Sequence, residues 1–171
     1  LPEDISIFVD GVTNVDHPLW GPDGNLYFVS PSERKILFAT RKGKVEVLCQ
    51  ILGRPGGLVF DFSGTLFVGD LRDAAVLRIE KFNEPEVFVN GFEGKNFSGP
   101  QHLAILKNGD IIFSDPIRAP DSDPGISSIY RVDKKGAVTV FVDEIAFPSG
   151  IGVSDSGSEV LICEARANRL L

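Results

Sequence analysis

Apolar residues occur along this chain in short runs of three to five, and turns that contain glycine separate the runs. In the stretch 92–116, apolar runs at 103–106 and 111–113 flank Asn108-Gly109. Asn-Gly between two apolar runs is typical of a β-hairpin, because both central residues of a type I′ turn need a positive φ. The stretch therefore predicts a loop, a buried strand, a tight turn and a second strand.

The same unit occurs four times, and its turn glycines give the register. These glycines lie 40, 45 and 48 residues apart: Gly24, Gly64, Gly109 and Gly157. A repeat of roughly 40–45 residues with four short strands is typical of a β-propeller blade. We place the inner strands at 18–20, 58–61, 103–106 and 151–154. In the first three repeats the predicted third strands are at 35–40, 75–80 and 128–133. The predicted fourth strands of the same repeats are at 45–50, 86–90 and 138–143. We predict an all-β propeller of four-stranded antiparallel blades, with about four blades' worth of strands.

Both ends of the chain contain blade strands in this register. Residues 5–11 match the apolar pattern of residues 87–91, which predicts a fourth strand, and residues 168–171 begin a third strand. Pairing the first segment with the last blade would close a ring within one propeller domain, 1–171. Open ends would expose apolar faces, at a cost of ~25 cal/mol per Å². We therefore expect a second copy, or further C-terminal sequence, to complete the propeller.

Composition and charge narrow the classes of partner. The chain is 43% hydrophobic with 13 phenylalanines, which we expect to fill the space between blades. Its net charge is −7 without a basic run, which argues against nucleic acid or an anionic membrane surface. No apolar stretch reaches the length of about 20 residues that a transmembrane helix needs. Cys49 and Cys163 match no metal or redox spacing and are expected as small buried side chains, which slightly favours the cytoplasm.

Polar side chains recur at one position, just ahead of the inner strands. Asp16, Gln101 and Ser149 are equivalent in the register, and His17 and His102 follow two of them. Loops that enter inner strands converge on the mouth of the channel, where ligand sites are built. Oxygen ligands suit Ca²⁺ or Mg²⁺, whereas imidazole suits zinc or acid–base chemistry. Alternatively, these residues hydrogen-bond their own backbone at the strand entry.

A second polar set ends the second strands: Ser30, Asp70, Asp115 and Glu164, the last being one residue out of phase. These side chains either accept hydrogen bonds that connect neighbouring blades or face the channel, and the turn-like sequence after them favours the structural role. The glycine-rich run 53–57 leads into a strand, so it does not predict a phosphate loop. The chain also contains neither a G-x-S-x-G elbow nor an H-E-x-x-H motif.

The ordered motifs resemble those of the gluconolactonase/regucalcin (senescence marker protein) family of β-propeller lactonases, with strictosidine-synthase-like propellers as more distant relatives. They are Asp16-His17-Pro18-Leu19-Trp20, Gly94-Lys95-Asn96, Pro100-Gln101-His102-Leu103, Phe113-Ser114-Asp115-Pro116, Ile129-Tyr130-Arg131-Val132-Asp133 and Phe147-Pro148-Ser149-Gly150-Ile151. The resemblance covers essentially the whole chain. It implies a parent propeller of six blades, of which this chain supplies about four.

The resemblance also implies a remodelled metal site. Asp16 stands where the family has a glutamate ligand, and Gln101 and Ser149 stand where it has two asparagines. The family's later aspartate, its general base, falls beyond Leu171. The implied cofactor is a divalent cation, Ca²⁺ before other ions, and the catalytic candidates are His102 and Asp115.

Three functional classes follow from the sequence. The first is metal-dependent hydrolysis of a lactone or ester, in which a metal polarises the carbonyl and a carboxylate activates water. The second is a non-catalytic propeller that binds a small ligand or a protein partner. The third is a propeller fragment whose missing blades carry the missing chemistry. Function is determined by the site and not by the fold.

Overall fold

The computed structural model describes residues 5–80, 84–117 and 126–171 of the predicted domain 1–171. Within these ranges the chain forms β-strands and a single 3₁₀ turn at Ala165–Ala167. No helix in the described ranges has the length and apolar character needed to cross a membrane. The prediction of an all-β chain is confirmed.

The strands form four antiparallel blades, in each of which neighbouring strands follow one another along the chain. Blade 1 contains β1 (Asp16–Trp20), β2 (Leu26–Ser30), β3 (Lys35–Ala39) and β4 (Val45–Gln50). Blade 2 contains β5 (Pro55–Phe60), β6 (Leu66–Asp70), β7 (Ala75–Ile79) and β8 (Glu86–Val89). A small hairpin of β9 (Gly91–Phe92) and β10 (Lys95–Asn96) follows. Blade 3 contains β11 (Leu103–Ile105), β12 (Ile111–Ser114), β13 (Ile126–Val132) and β14 (Val138–Ala146). Blade 4 contains β15 (Pro148–Val153), β16 (Val160–Glu164) and β17 (Arg169–Leu170). The predicted propeller is confirmed.

Three inner strands begin earlier than the sequence predicted. β1, β5 and β15 each start two or three residues ahead of the predicted strand. In each of them the register shifts within the first residues, between Asp16 and Leu19 in β1 for example. A bulge interrupts regular alternation, so the apolar pattern identified only the part of each strand beyond it. The predicted site residues Asp16 and Ser149 lie in these bulged strand entries.

The turn glycines of blades 1, 2 and 3 adopt the same geometry, but it is not the predicted type I′ turn. Gly109 N–H donates to Leu106 O at 2.8 Å, and Leu106 N–H donates to Asp110 O at 2.8 Å, which encloses a three-residue loop. Gly109 has a φ of 88°, whereas Asn108 does not have a positive φ. This is the three-residue hairpin in which a left-handed residue follows a β-turn. Only the glycine therefore needs the left-handed region.

Apolar side chains alternate along the second strands and form one core at each junction between blades. Tyr27 in β2 packs towards blade 2, Phe67 in β6 towards blade 3, and Ile112 in β12 towards blade 4. Their exposed fractions are 4%, 6% and 0%. Phenylalanine fills the junction of blades 2 and 3, where Phe97 and Phe113 meet edge to face at 5.1 Å. The expected packing of phenylalanine between blades is confirmed at this junction, whereas Phe62 is 71% exposed.

The predicted fourth strand at residues 5–11 is not formed. Residues 5–15, the N-terminal segment, belong to no strand. Val9 and Val12 instead pack on the outer face of blade 1, against Phe28 and Leu37. A β-strand needs a partner edge for its backbone groups, whereas this apolar segment covers a sheet face by side-chain packing without pairing to a strand. By contrast, the predicted third strand at the C-terminal end is present as β17.

Candidate active site

Backbone hydrogen bonds confirm that the predicted site positions are equivalent. In each inner hairpin, the residue that precedes the turn donates its N–H to the residue that follows it: Gly21 to Asn25, Asp61 to Thr65, Leu106 to Asp110 and Ser154 to Glu159. Asp16, Gln101 and Ser149 each stand five residues ahead of such a donor. The fourth turn is one residue longer, which accounts for the phase difference at Glu164. His17 and His102 are thus equivalent residues of blades 1 and 3.

The bulge in β1 holds Asp16 and His17 together. Asp16 Oδ1 accepts the backbone N–H of His17 at 2.8 Å, and Asp16 Oδ2 lies 3.7 Å from His17 Nε2. His17 has a φ of 51°, a conformation that few non-glycine residues adopt. Its side chain is 14% exposed, whereas that of Asp16 is 64% exposed. A solvent-facing carboxylate therefore lies beside a largely buried imidazole.

The two histidines of the chain meet near the entries of the inner strands. The ring centroids of His17 and His102 are 4.7 Å apart, with an interplanar angle of 73°. The backbone of His102 is fixed by Ser114, whose Oγ accepts its N–H at 3.1 Å and whose N–H donates to its carbonyl at 3.0 Å. Blade 2, which lies between them, carries Gly57 at the equivalent position. Because glycine has no side chain, no third side chain separates the imidazole rings of blades 1 and 3. We call Asp16, His17 and His102 the mouth cluster.

Burial and charge act on the His17 pKa in opposite directions. Removal from water disfavours the imidazolium and lowers the pKa of His17, while the Asp16 carboxylate partly offsets this effect. Burial is the larger cause, so the net shift is downward. His17 is accordingly a neutral imidazole at neutral pH, with a carboxylate beside it that favours its protonated form.

The metal-ligand candidates Gln101 and Ser149 are half-buried strand-entry residues. Gln101 is held by its backbone, since its N–H donates to Ser114 O at 2.9 Å and its carbonyl accepts the Gly57 N–H at 2.6 Å. Across the described parts of the chain, no group of three or more His, Cys, Asp or Glu residues could hold a metal ion. Calcium takes six to eight oxygen ligands, several of them carboxylates. This donor set does not fit such a site, and the metal ligands remain predictions.

The carboxylates that end the second strands of blades 2 and 3 bind the loops that enter those blades. Asp70 is 2% exposed, and its Oδ1 accepts three backbone N–H groups at 2.9–3.0 Å, from Arg54, Arg72 and Asp73. Asp115 is 5% exposed and accepts the N–H groups of Ser98 and Gly99. These contacts support the structural alternative, although they connect parts of one blade and not neighbouring blades. The catalytic role of Asp115 remains a prediction, and its carboxylate already anchors the entry to blade 3.

The same position has the same role in blades 1 and 4. Ser30 Oγ donates to Thr13 O at 2.7 Å, and Glu164 accepts the Ala146 N–H at 2.8 Å. Two contacts lower the pKa of Glu164. The larger cause is the hydrogen bond from the Ala146 N–H, and the next is the hydrogen bond from Arg169. Each polar side chain thus binds the segment ahead of its own inner strand. Because Ala146 is the last residue of β14, the Glu164 contact also connects blades 3 and 4, as one alternative of the sequence analysis predicted. This set positions the strand entries, including the entries that carry the mouth cluster.

Comparison with known proteins agrees with this architecture. The sequence profile of the SMP-30/Gluconolactonase/LRE-like region matches residues 16–171. A gluconolactonase of Zymomonas mobilis is 21% identical over 180 aligned positions, which cover 92% of this chain and 51% of that protein. The chain thus spans about half the length of this curated relative.

Solved structures share the fold. A gluconolactonase from Xanthomonas campestris superposes with a TM-score of 0.85 at 21% identity, over 95% of this chain and 59% of that one. The calcium-binding protein regucalcin from Agrobacterium tumefaciens superposes with a TM-score of 0.71 at 17% identity, over 91% of this chain and 52% of that one. The profile match over most of the sequence and the shared propeller together show that this chain belongs to the SMP-30/gluconolactonase/LRE-like family.

Proposed function

We propose that this chain acts as a gluconolactonase-like hydrolase that opens small lactones or esters at the mouth cluster. The observation that carries the proposal is the contiguous set of one carboxylate and two imidazoles. Asp16 Oδ2 lies 3.7 Å from His17 Nε2, and the His17 and His102 rings are 4.7 Å apart. Membership of a family that includes gluconolactonases supports the reaction class. The chain spans about half the length of its relatives. That it carries the activity of the whole relative is therefore part of this proposal.

His17 serves as the general base in the proposed reaction. Its neutral imidazole takes a proton from water, and the water oxygen attacks the carbonyl carbon of the lactone. The C–O bond of the ring then breaks, and the proton passes from the imidazolium to the departing alkoxide oxygen, which yields a hydroxy acid. Asp16 favours the imidazolium while the ring holds the proton. The lowered pKa of His17 keeps it able to accept that proton near neutral pH.

His102 serves as the second polar group of the proposed site. It lies against His17, and its backbone is anchored on β12 through Ser114. An imidazole N–H aimed at the carbonyl oxygen would stabilise the negative charge that develops there, as donors of an oxyanion hole do. In this proposal His102, one of the two catalytic candidates named from the sequence, has a catalytic role, and the contacts of His17 with Asp16 and His102 support adding His17 to it.

The proposed cation, Ca²⁺ before other divalent ions, would bind at Asp16 with Gln101 and Ser149 as neutral oxygen ligands. Relatives support it, because one of them is a calcium-binding protein. No three His, Cys, Asp or Glu residues of the described ranges are arranged so that they could hold a metal ion, so the proposed reaction includes no metal step. Calcium is therefore treated as a ligand whose binding is measured by titration, and not as part of the proposed reaction.

Hydrolysis of gluconolactone and of nitrophenyl acetate tests the proposal. We expect His17→Gln to lower kcat by about 100-fold or more, the usual contribution of a general base. His102→Gln should also lower kcat, whereas Asp155→Asn, in the exposed turn after β15, should leave it unchanged. Full activity in His17→Gln, or no activity in the wild type, would reject the hydrolase.

A second function is favoured by the poor fit of the residues to a metal site. A non-catalytic propeller would bind a small molecule or a protein at the same mouth without turning it over. Gluconolactone would then raise the melting temperature of the wild type while no hydroxy acid accumulates. This result would replace the hydrolase with a binding protein.

A further inference from the structure

An open pocket of about 400 Å³ lies between blades 1 and 2, and three arginines line it: Arg34, Arg54 and Arg72. Arg34 lies in the turn after β2, Arg54 lies just ahead of β5, and Arg72 lies in the turn after β6. No acidic side chain of the described ranges lines this pocket, although the chain has a net charge of −7. The pocket is thus a local concentration of positive charge on an acidic protein, and we call it the arginine pocket.

One buried carboxylate fixes the backbone of two of these arginines. Asp70 Oδ1 accepts the N–H groups of Arg54 and Arg72 at 2.9 and 3.0 Å. The loop before β5 and the turn after β6 are also joined directly, because Leu71 N–H donates to Arg54 O at 2.9 Å. Arg54 and Arg72 therefore start from backbone positions that are fixed relative to each other.

The guanidinium groups of Arg34 and Arg72 converge on one backbone carbonyl. Arg34 Nη1 donates to Leu52 O at 3.4 Å, and Arg72 Nη1 donates to the same oxygen at 3.1 Å. The loop that carries Leu52 is connected to blade 1, since Ile51 N–H donates to Arg34 O at 2.9 Å. A guanidinium has five N–H donors, so these contacts leave most donors of both arginines available to a ligand.

The charges around the arginine pocket favour an anion as that ligand. Two like charges beside one oxygen repel each other, and an anion between them would remove this repulsion. Asp73 Oδ1 lies 3.7 Å from Arg72 Nε, but the two side chains are 49% and 60% exposed. Such an exposed ion pair contributes little, so Asp73 offsets the positive charge only in part.

The arginine pocket lies at the same end of the propeller as the mouth cluster. That end holds the start of each inner strand and the end of each second strand, as the pairing of Pro55 with Asp70 shows for blade 2. From Arg54 the chain enters β5 and reaches Gly57, where an added Cβ atom would lie 3.0 Å from His102 Cα. Three residues of strand span at most about 10 Å. A single small ligand can therefore extend from the histidine pair to the arginine pocket.

We propose that the arginine pocket binds the phosphate group of a ligand that occupies the mouth. A phosphate monoester carries close to two negative charges and three terminal oxygens, and guanidinium groups bind such oxygens in pairs. A carboxylate has one charge and two oxygens, so it would leave part of the three-arginine set without a partner. Resting on the proposed function, this site makes the substrate a phosphorylated sugar lactone or ester. The phosphate site itself does not depend on hydrolysis.

Calorimetric titration of the purified protein with glucose 6-phosphate, at constant ionic strength, tests the phosphate site. We expect saturable binding, with glucose and the carboxylate gluconate binding at least tenfold more weakly. Arg54→Gln and Arg72→Gln should each raise Kd by about tenfold, because each removes a charge-assisted hydrogen bond. Arg41→Gln is the matched control, since it removes the same charge from an exposed side chain in the turn between β3 and β4, at the other end of blade 1. It should retain the wild-type Kd.

Hydrolysis of gluconolactone 6-phosphate and of gluconolactone tests the substrate class. The ratio of kcat/KM for the phosphorylated lactone to that for the neutral one should exceed one in the wild type. It should fall by about tenfold in Arg72→Gln and stay unchanged in Arg41→Gln. Circular dichroism establishes that each variant folds.

The binding and kinetic results separate this proposal from the hydrolase. Binding of glucose 6-phosphate that needs the arginines, without hydrolysis of either lactone, would reject the hydrolase and support the phosphate site. No binding of glucose 6-phosphate, equal Kd values in the wild type and both arginine-pocket variants, or an equal loss in Arg41→Gln would overturn the phosphate site. Gluconate binding as tight as that of glucose 6-phosphate would overturn it in favour of a carboxylate site. A kcat/KM ratio that does not change in Arg72→Gln would overturn the substrate class.

Discussion

The imidazole rings of His17 and His102 meet edge to face at 4.7 Å, although the two residues belong to blades 1 and 3. The blade between them carries Gly57 at the equivalent position. A Cβ atom on that glycine would lie 2.6 Å from Gln101 O and 3.0 Å from His102 Cα. The histidine contact and the close approach of blades 2 and 3 therefore depend on the same small residue.

Alanine at position 57 should accordingly destabilise the protein. Both crowded neighbours are backbone atoms, so blades 2 and 3 would have to move apart. We expect Gly57→Ala to lower the free energy of unfolding by about 1–3 kcal/mol, as overpacking usually does. Urea unfolding followed by circular dichroism measures this loss.

Gly152→Ala is the matched control for that substitution. Gly152 also lies in an inner strand, but a Cβ atom there meets nothing within 4 Å. Its free energy of unfolding should stay within ~0.5 kcal/mol of the wild type. Equal losses in the two variants would show that strand propensity, and not the approach of blades 2 and 3, determines the effect.

His17 should make stability depend on pH below about 6.5, the ordinary pKa of histidine. Burial lowers the pKa of His17, so the unfolded chain binds this proton at a higher pH than the folded one. As the pH falls below about 6.5, protonation of the unfolded chain therefore reduces the free energy of unfolding. This contribution is absent in His17→Gln. As the pH is lowered from about 7.5 to about 5.5, the melting temperature of this variant should therefore rise relative to that of the wild type. A constant difference between these pH values would contradict a buried neutral imidazole.

The sequence predicted the fold well because the determining signals are local. Gly24, Gly64, Gly109 and Gly157 all have a positive φ, and their spacing alone gives the register that aligns the site positions. The error at residues 5–11 has a different origin. Their apolar pattern is that of a strand, but strand formation depends on an available edge, and no local pattern tells where that edge lies.

The candidate site could be predicted only in part for the same reason. The register of the repeats makes His17 and His102 equivalent, and this equivalence is the sequence signal that indicates a shared site. Their contact depends on how blades 1 and 3 are arranged around blade 2, which is a long-range property. The roles of Asp70 and Asp115 likewise depend on which loop N–H groups fold back to them.

Asp70 should contribute more to stability than any exposed carboxylate near it. Its Oδ1 accepts three backbone N–H groups in a buried position, and Asp70→Ala would leave these donors without their acceptor. We expect a loss of about 3 kcal/mol in the free energy of unfolding, and a smaller loss for Asp70→Asn, which retains an oxygen. Asp73→Ala, whose side chain is 49% exposed, should change it by less than ~0.5 kcal/mol. Equal losses at positions 70 and 73 in chemical unfolding would contradict the anchoring role.

Calcium should bind this chain weakly, and through Asp16 when it binds. The carboxylate is 64% exposed, and one of its oxygens already accepts the His17 N–H. Gln101 and Ser149 would add only neutral oxygens, so the site falls short of the charge that tight calcium binding requires. At a calcium concentration equal to Kd, stabilisation is RT ln 2, which corresponds to a rise of about 1–2 °C in melting temperature. We expect Asp16→Ala to abolish this rise and Asp155→Ala, in the exposed turn after β15, to retain it. Thermal melts across a calcium titration decide the matter, and a rise that persists in Asp16→Ala would assign the cation to another part of the propeller.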